Sequence, residues 1–361
     1  MKAPPAALAS RAAAVAASSR TRVALLFVAL PFFLLPFVLA GVGHAEPAGG
    51  AREYRYLMGT SVAVEVFDGG RGPAMDEAFA AIAEVDRLMS NYRDDSELAL
   101  INRTAATRPV PASDPMFSVL AAAQDVSARS AGAFDVTVGP LMRLWGFHDK
   151  KPHVPAAAEL AAVRPLVDYR NLVLDRPRRT VRFVRQGMEL DLGGIAKGFA
   201  VEIAAGVLRR HGLDGLIDAG GNQYLRGTPP GKRLWSVGVK DPDDPQRLLG
   251  AIDTEETSVS TSADYSNFLT ENGRTYGHIF DPHTLAPSDH ALSVTILSRD
   301  GTLADALSKA AFVLGPDAGL ALVESFPGTA ALIAYRDRNG GMAMVMSASL
   351  RPRFHPASSH R

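Results

Sequence analysis

Residues 191–198 read Asp191-Leu192-Gly193-Gly194-Ile195-Ala196-Lys197-Gly198, a glycine-rich turn. Apolar Met188 and Leu190 alternate ahead of it as a short strand does, and a helix to about Arg210 follows. The spacing fits neither a Walker A loop nor the dinucleotide fingerprint. Downstream, short strands are expected at roughly 214–218, 235–240, 249–260, 276–280, 292–298, 329–336 and 342–347, with one strong helix at 302–314 capped by Gly315. Upstream, two strands within 171–184 flank the basic turn at 175–179, and a helix runs from about Pro115 to Ser130. Before them, Met75, Ala78, Phe79, Ile82, Val85 and Met89 mark one face of another helix, and Tyr54 to Phe67 alternates as one strand with an irregularity at Met58-Gly59-Thr60. Strands in runs with helices inserted irregularly predict an α+β fold rather than a regularly wound α/β sheet. No internal repeat is visible.

The chain has 361 residues, 47% hydrophobic and 21% charged, which suits a globular protein. Lys+Arg and Asp+Glu both number 38, so no overall basic field exists to gather nucleic acid. Cysteine is absent, which removes disulfides, thiolate metal sites and cysteine nucleophiles from consideration. Arg11, Arg20 and Arg22 precede an apolar run from Val23 to Val42, and Gly43-His44-Ala45 then offers small residues for cleavage. Residues 1–45 therefore read as an export signal or, if uncleaved, a membrane anchor. The expected layout is this segment, one body over 46–350 and a frayed tail over 351–361.

Four segments carry candidate chemistry. The turn at 193–198 sets backbone N–H groups at a helix start, where phosphate is stabilised, although an ordinary helix entry has the same look. Gly132-Ala133-Phe134-Asp135-Val136-Thr137-Val138-Gly139-Pro140-Leu141, followed by Trp145-Gly146-Phe147, could surround a planar ring or could simply pack under the core. Ser260-Thr261-Ser262-Ala263-Asp264-Tyr265 precedes Tyr276-Gly277-His278-Ile279-Phe280-Asp281-Pro282, in which His278 is a candidate base or a structural histidine. Along the helix, Asp305, Ser308 and Lys309 fall on one face among apolar neighbours. A carboxylate there needs a partner, either a hard cation such as Mg²⁺ or the ammonium of Lys309.

Taken together and in this order, the segments resemble the ApbE family of FAD:protein FMN transferases over about 52–350. Further motifs of the resemblance are Ser90-Asn91-Tyr92, Ser96-Glu97-Leu98, Ile101-Asn102, Asp218-Ala219-Gly220-Gly221 and Trp235 to Pro242. It implies a single α+β catalytic domain with mixed or antiparallel sheets and FAD in a cleft between lobes. Met58, Tyr92, Ala133, Phe134, Asp135, Asp191, Lys197, His278 and Ile279 would contact FAD, and His278 would be the catalytic base. Gly194, Asp305 and Ser308, with position 309 beside them, would hold Mg²⁺.

The activity implied is transfer of FMN from FAD to a threonine of an exported acceptor, such as a subunit of a membrane redox complex, with release of AMP. The setting implied is the periplasm, free or anchored to the inner membrane. An FAD-binding protein without transferase activity, or an FAD pyrophosphatase yielding FMN and AMP, remain the alternatives. Three residues depart from the family pattern: Lys309 replaces a threonine, Leu285 a glycine and Asn222 an acidic residue. Lys309 predicts weakened but retained Mg²⁺.

Overall fold

The computed structural model describes residues 50–68, 72–149, 151–263, 269–271 and 274–357. The chain divides into two units, Met1–Leu39 and Ala40–Arg361, and the first, with the rest of the expected signal or anchor, lies outside the described residues. The second is built on an eight-stranded sheet: β1 (Ala51–Leu57), β2 (Thr60–Val66), β3 (Gly215–Ala219), β4 (Asn222–Arg226), β5 (Thr257–Ala263), β6 (Ser293–Ser298), β7 (Ala330–Arg336) and β8 (Met342–Met346). They lie side by side in chain order, each antiparallel to its neighbour. Helices and smaller sheets are inserted between them, so the α+β expectation holds.

The helices are α1 (Pro73–Met89), α2 (Glu97–Thr104), α3 (Asp114–Arg129), α4 (Gly139–Leu144), α5 (Ala157–Val163), α6 (Ala196–Arg210) and α7 (Gly301–Glu324). Serine Oγ atoms of Ser96 and Ser113 cap α2 and α3, and Asp300 caps α7 through the amides of Thr302 and Leu303. Gly315 leaves the helical region at φ 76°, and Pro316 restarts the helix, so the expected stop at 315 is a kink within a longer element. The first limb of α7 is buried on most sides, with Asp305 and Ser308 among its apolar residues, because α6 and the inner face of the sheet enclose it.

Strand periodicity divides the core in two. Ile217, Ile296, Ala331 and Ile333 face the helices, while Leu216, Leu297, Ala330 and Leu332 face a three-stranded sheet of Trp235–Lys240, Leu248–Thr254 and Phe354–Pro356.

The structure corrects the sequence reading in several places. Tyr54 to Phe67 is a hairpin, because Met58 (φ 52°) and Gly59 (φ 73°) are both left-handed, as a tight two-residue turn requires. The run expected at 249–260 breaks at Glu255-Glu256 into strands of two different sheets. That expected at 276–280 is two short strands, Arg274–Tyr276 and Phe280–Asp281. β4 was not anticipated. The tail expected from 351 stays in the fold to 357, since Phe354–Pro356 pairs with Leu248–Thr254 and Phe354 packs on the second core.

Candidate active site

Local hydrogen bonds build the turn at 191–198. Residues 188–190 are not a strand; Asn102 instead clamps Leu190, donating to its carbonyl (3.0 Å) and accepting from its N–H (2.8 Å). Asp191 Oδ1 accepts from the Gly193 N–H (2.7 Å), and Oδ2 pairs with His148 Nε2 (2.8 Å). Burial pushes the Asp191 carboxyl up, but His148, the Gly193 amide and Asn91 outweigh it and hold the group below the usual range. The exposed Tyr92 ring stands edge-on to His148 at 6.4 Å.

The helix entry is more committed than its sequence suggests. Ile195 and Ala196 N–H groups donate to the Leu192 carbonyl (3.0 and 2.8 Å), and Gly198 N–H donates to Asp305 Oδ2 (2.8 Å). With Gly193 also engaged, four amides of the turn already have acceptors in the protein. Anion binding here therefore falls largely to side-chain cations. Lys197 Nζ lies over the turn, donating to the Gly193 carbonyl (3.2 Å).

Gly198 sets the distance between α6 and α7. A Cβ at this position would collide with the Gly301 carbonyl oxygen and Asp305 Cβ, so only glycine permits the approach that delivers Asp305 to the turn.

Across that contact, Asp305 is fully buried and its Oδ1 accepts from Lys309 Nζ, one helical turn on. Lys309 also donates to Ser308 Oγ (3.2 Å). Ser308 Oγ donates to the Asp305 carbonyl (2.7 Å) and sits 2.7 Å from Ser262 Oγ and 3.3 Å from Ser260 Oγ on β5. Burial lowers the Lys309 pKa against the pull of Asp305, and the nearby Lys197 charge adds to the lowering. Two ammonium groups thus lie beside the same turn. Asn222, buried at the start of β4, is paired in register with Ser260, and its Oδ1 finds no donor among the described residues.

The 132–147 loop closes one side. A Cβ on Gly194 would lie 3.1 Å from the Phe134 ring and 3.7 Å from Lys309 Cγ, so Gly194 is held between the two. Ala133 and Phe134 are buried. Asp135 turns into the protein: Oδ1 accepts from the Thr137 amide and hydroxyl (both 2.7 Å), and Oδ2 from the Tyr169 amide (2.8 Å). Burial pushes its carboxyl up to about 6 despite these bonds.

His278 is half-buried between buried Gly277 and Ile279. Residues 264–268 and 272–273, which include Asp264 and Tyr265, lie outside the described residues. The Ile279 carbonyl accepts from the Ser288 amide (2.8 Å), and Ser288 Oγ donates to the Phe312 carbonyl (3.4 Å), which ties this segment to α7. Asp281 pairs with His283 Nδ1 (3.0 Å), whose Nε2 faces the Ala131 carbonyl (3.0 Å). Trp145 packs on Phe280 at 5.3 Å and donates to the Leu285 carbonyl (3.2 Å). Leu285 is left-handed (φ 61°) and fully buried in that cluster, so its apolar contacts offset a strain of about 1–2 kcal/mol that a glycine would avoid.

Tyr92, Asp191, Gly194, Lys197, Phe134, Asp305, Ser308 and Lys309 thus form one continuous run of neighbours. Met58, His278 and Ile279 join it indirectly. Met58 sits in the β1–β2 turn with Thr60, which packs on Gly220, and the Gly221 carbonyl accepts from the Thr261 N–H (3.1 Å), while the segment of His278 and Ile279 reaches α7 through Ser288. His148, Asn91, Ser260 and Ser262 are the site residues to which the sequence reading gave no role. His148 is one of nine histidines and has no spacing that singles it out.

The family model described as ApbE family matches residues 58–333. The chain belongs to the ApbE family. A relative from Treponema pallidum named FAD:protein FMN transferase is 33% identical over 330 residues, covering 84% of this chain and 91% of its own. One of the same name from Klebsiella pneumoniae is 32% identical, covering 85% and 96%. Among solved structures, the ApbE protein from Thermotoga maritima superposes with a TM-score of 0.76 at 31% identity, over 84% of this chain and 98% of that one. The flavin transferase ApbE from Vibrio cholerae gives 0.75 at 28% identity, over 85% and 100%.

A divalent cation does not fit the metal position that the resemblance implies, as its residues stand. Both Asp305 oxygens have protein donors, and the Lys309 ammonium lies on the carboxylate the ion would need. A double positive charge about 4 Å from that ammonium would be repelled by roughly 8 kcal/mol at an effective dielectric of about 20. Among the described residues no group of three or more His, Asp or Glu is arranged to hold a metal.

Proposed function

We propose that this ApbE-family transferase moves FMN from FAD to a threonine hydroxyl of an exported acceptor protein, with AMP as the second product. The observation that carries the reading is the run from Tyr92 and Asp191 through Gly194 to Lys197 and Lys309, which sets an aromatic wall and two ammonium groups around one glycine turn. Phe134, Tyr92 and Met58 would border the rings of FAD, Ala133, Asp135 and Ile279 would shape the wall behind them, and Lys197 would hold the phosphates.

In the reaction the threonine Oγ bonds to the FMN-side phosphorus while the pyrophosphate P–O bond breaks and AMP leaves with that electron pair. His278 takes the hydroxyl proton. Such chemistry depends on positioning and on neutralising charge at the leaving phosphate. The Mg²⁺ implied by the family resemblance is not part of this proposal, because Lys309 stands on its carboxylate.

Export is supported by the arginines and apolar run of residues 11–45. On that reading the acceptor is a periplasmic flavoprotein or a subunit of a membrane redox complex. Incubation with FAD and a threonine-bearing acceptor tests the activity by its products. Flavin bound covalently to the acceptor with an equivalent of AMP is expected. Free FMN with AMP would instead indicate a pyrophosphatase, and unchanged FAD a binding protein.

A further inference from the structure

We infer that the Lys309 ammonium, seated on buried Asp305, is the built-in cation of the FAD pyrophosphate site and takes the place of a divalent metal ion. The inference rests on the flavin-transferase reading for its ligand, but its geometry stands separately.

Exposure orders the two partners. The Asp305 side chain is 0% exposed and that of Lys309 is 20% exposed, so of the pair only Lys309 reaches the surface. A ligand arriving at the turn meets Lys309 before Asp305. Of the three N–H donors on Nζ, one goes to Asp305 Oδ1 and one to Ser308 Oγ, which leaves one for a phosphate oxygen.

The anchoring is firm at both ends. Gly198 N–H holds the far oxygen of Asp305, and Ser308 is itself fixed by Ser262 and by the Asp305 carbonyl. The Lys309 stem packs against Gly194, so its charge is aimed at the turn rather than swept through solvent.

Lys197 supplies the second charge. Its ammonium lies over the Gly193 carbonyl and close enough to Lys309 for their repulsion to register. An anion between them relieves that repulsion, and a dianionic pyrophosphate matches two ammonium groups. The four amides of the turn that already have protein acceptors add to the need for such side-chain cations.

Titrating FAD into the purified protein, followed by flavin fluorescence in EDTA and again in excess Mg²⁺, tests this. Wild-type protein is expected to bind FAD with dissociation constants within about twofold of each other in the two conditions. Lys309→Thr is expected to bind about tenfold or more weakly in EDTA and to recover with Mg²⁺, whereas Lys309→Arg retains metal-free binding.

Loss of about tenfold in wild-type affinity on chelation, restored by Mg²⁺, would overturn the inference, as would Lys309→Thr binding FAD in EDTA as tightly as wild type. Should Lys309→Thr melt too early to titrate, the wild-type comparison decides alone. Absence of FMN transfer under either condition would count against the transferase reading and leave the binding result to judge Lys309.

Discussion

Lys197 and His278 are given opposite work, one on a bound phosphate and one on a moving proton, and single substitutions separate them. Lys197→Ala is expected to raise the dissociation constant for FAD by about tenfold, the worth of one charge-assisted contact of about 1.5 kcal/mol, in a fluorescence titration. His278→Ala should keep FAD affinity and lose roughly 10²-fold or more in transfer rate at neutral pH. Equal rates for that variant and wild type would end its assignment as base. Asp135 offers a test by pH. Its folded pKa of about 6 lies above the ordinary value of 3.8, so the stabilisation of its protonated form is complete below about pH 4 and is lost as pH rises through 6. Thermal or urea melts from pH 4 to 7 should show wild type losing on the order of 3 kcal/mol relative to Asp135→Asn. At this scale the sequence singles out Asp305 by its charge among apolar neighbours, and Asp191 and Lys197 through the family resemblance; the structure sets all three around the glycine turn. It was silent on His148, which reaches Asp191 from 43 residues away, and it could not say toward which group Lys309 points.

Among elements, the α6–α7 contact is what places the candidate site. Gly198 lets the two helices meet, Asp305 crosses between them, and Ser260 and Ser262 bring β5 to the same point. Gly198→Ala is therefore expected to cost about 1–3 kcal/mol in a denaturant melt through overpacking, and to weaken FAD binding by displacing Asp305 and Lys309 together. A variant with unchanged stability and affinity would show that the helices tolerate a wider spacing. Helices α1, α3 and α6 could be read from their apolar period and flanking signals. The Met58-Gly59 turn could not, since a left-handed methionine carries no mark in sequence and the alternation continues through it. β4 escaped notice for a related reason: Asn222, Gln223 and Arg226 hide a strand whose inner residue, Tyr224, is buried by its neighbours rather than announced by a pattern.

At the level of the whole described unit, an antiparallel sheet with its strands in chain order carries helices and the candidate site on one face and a three-stranded sheet on the other. The two cores are separable in function. Phe354→Ala, in the strand that completes the second core, is expected to lower stability by about 1–2 kcal/mol, less than a fully buried Phe, while FAD affinity stays within about twofold. The α+β class was legible because turn residues punctuate the strands at short intervals, but which strands share a sheet was not, since that depends on pairings between segments as far apart as β2 and β3. The central claim is that FMN, as a unit, passes from FAD to a threonine. Intact-mass spectrometry of a threonine-bearing acceptor after incubation with this protein and FAD measures it directly. The account predicts an added mass of one FMN less one water, absent when that threonine is replaced by alanine. An acceptor of unaltered mass, alongside FAD fully converted to free FMN and AMP, would contradict it.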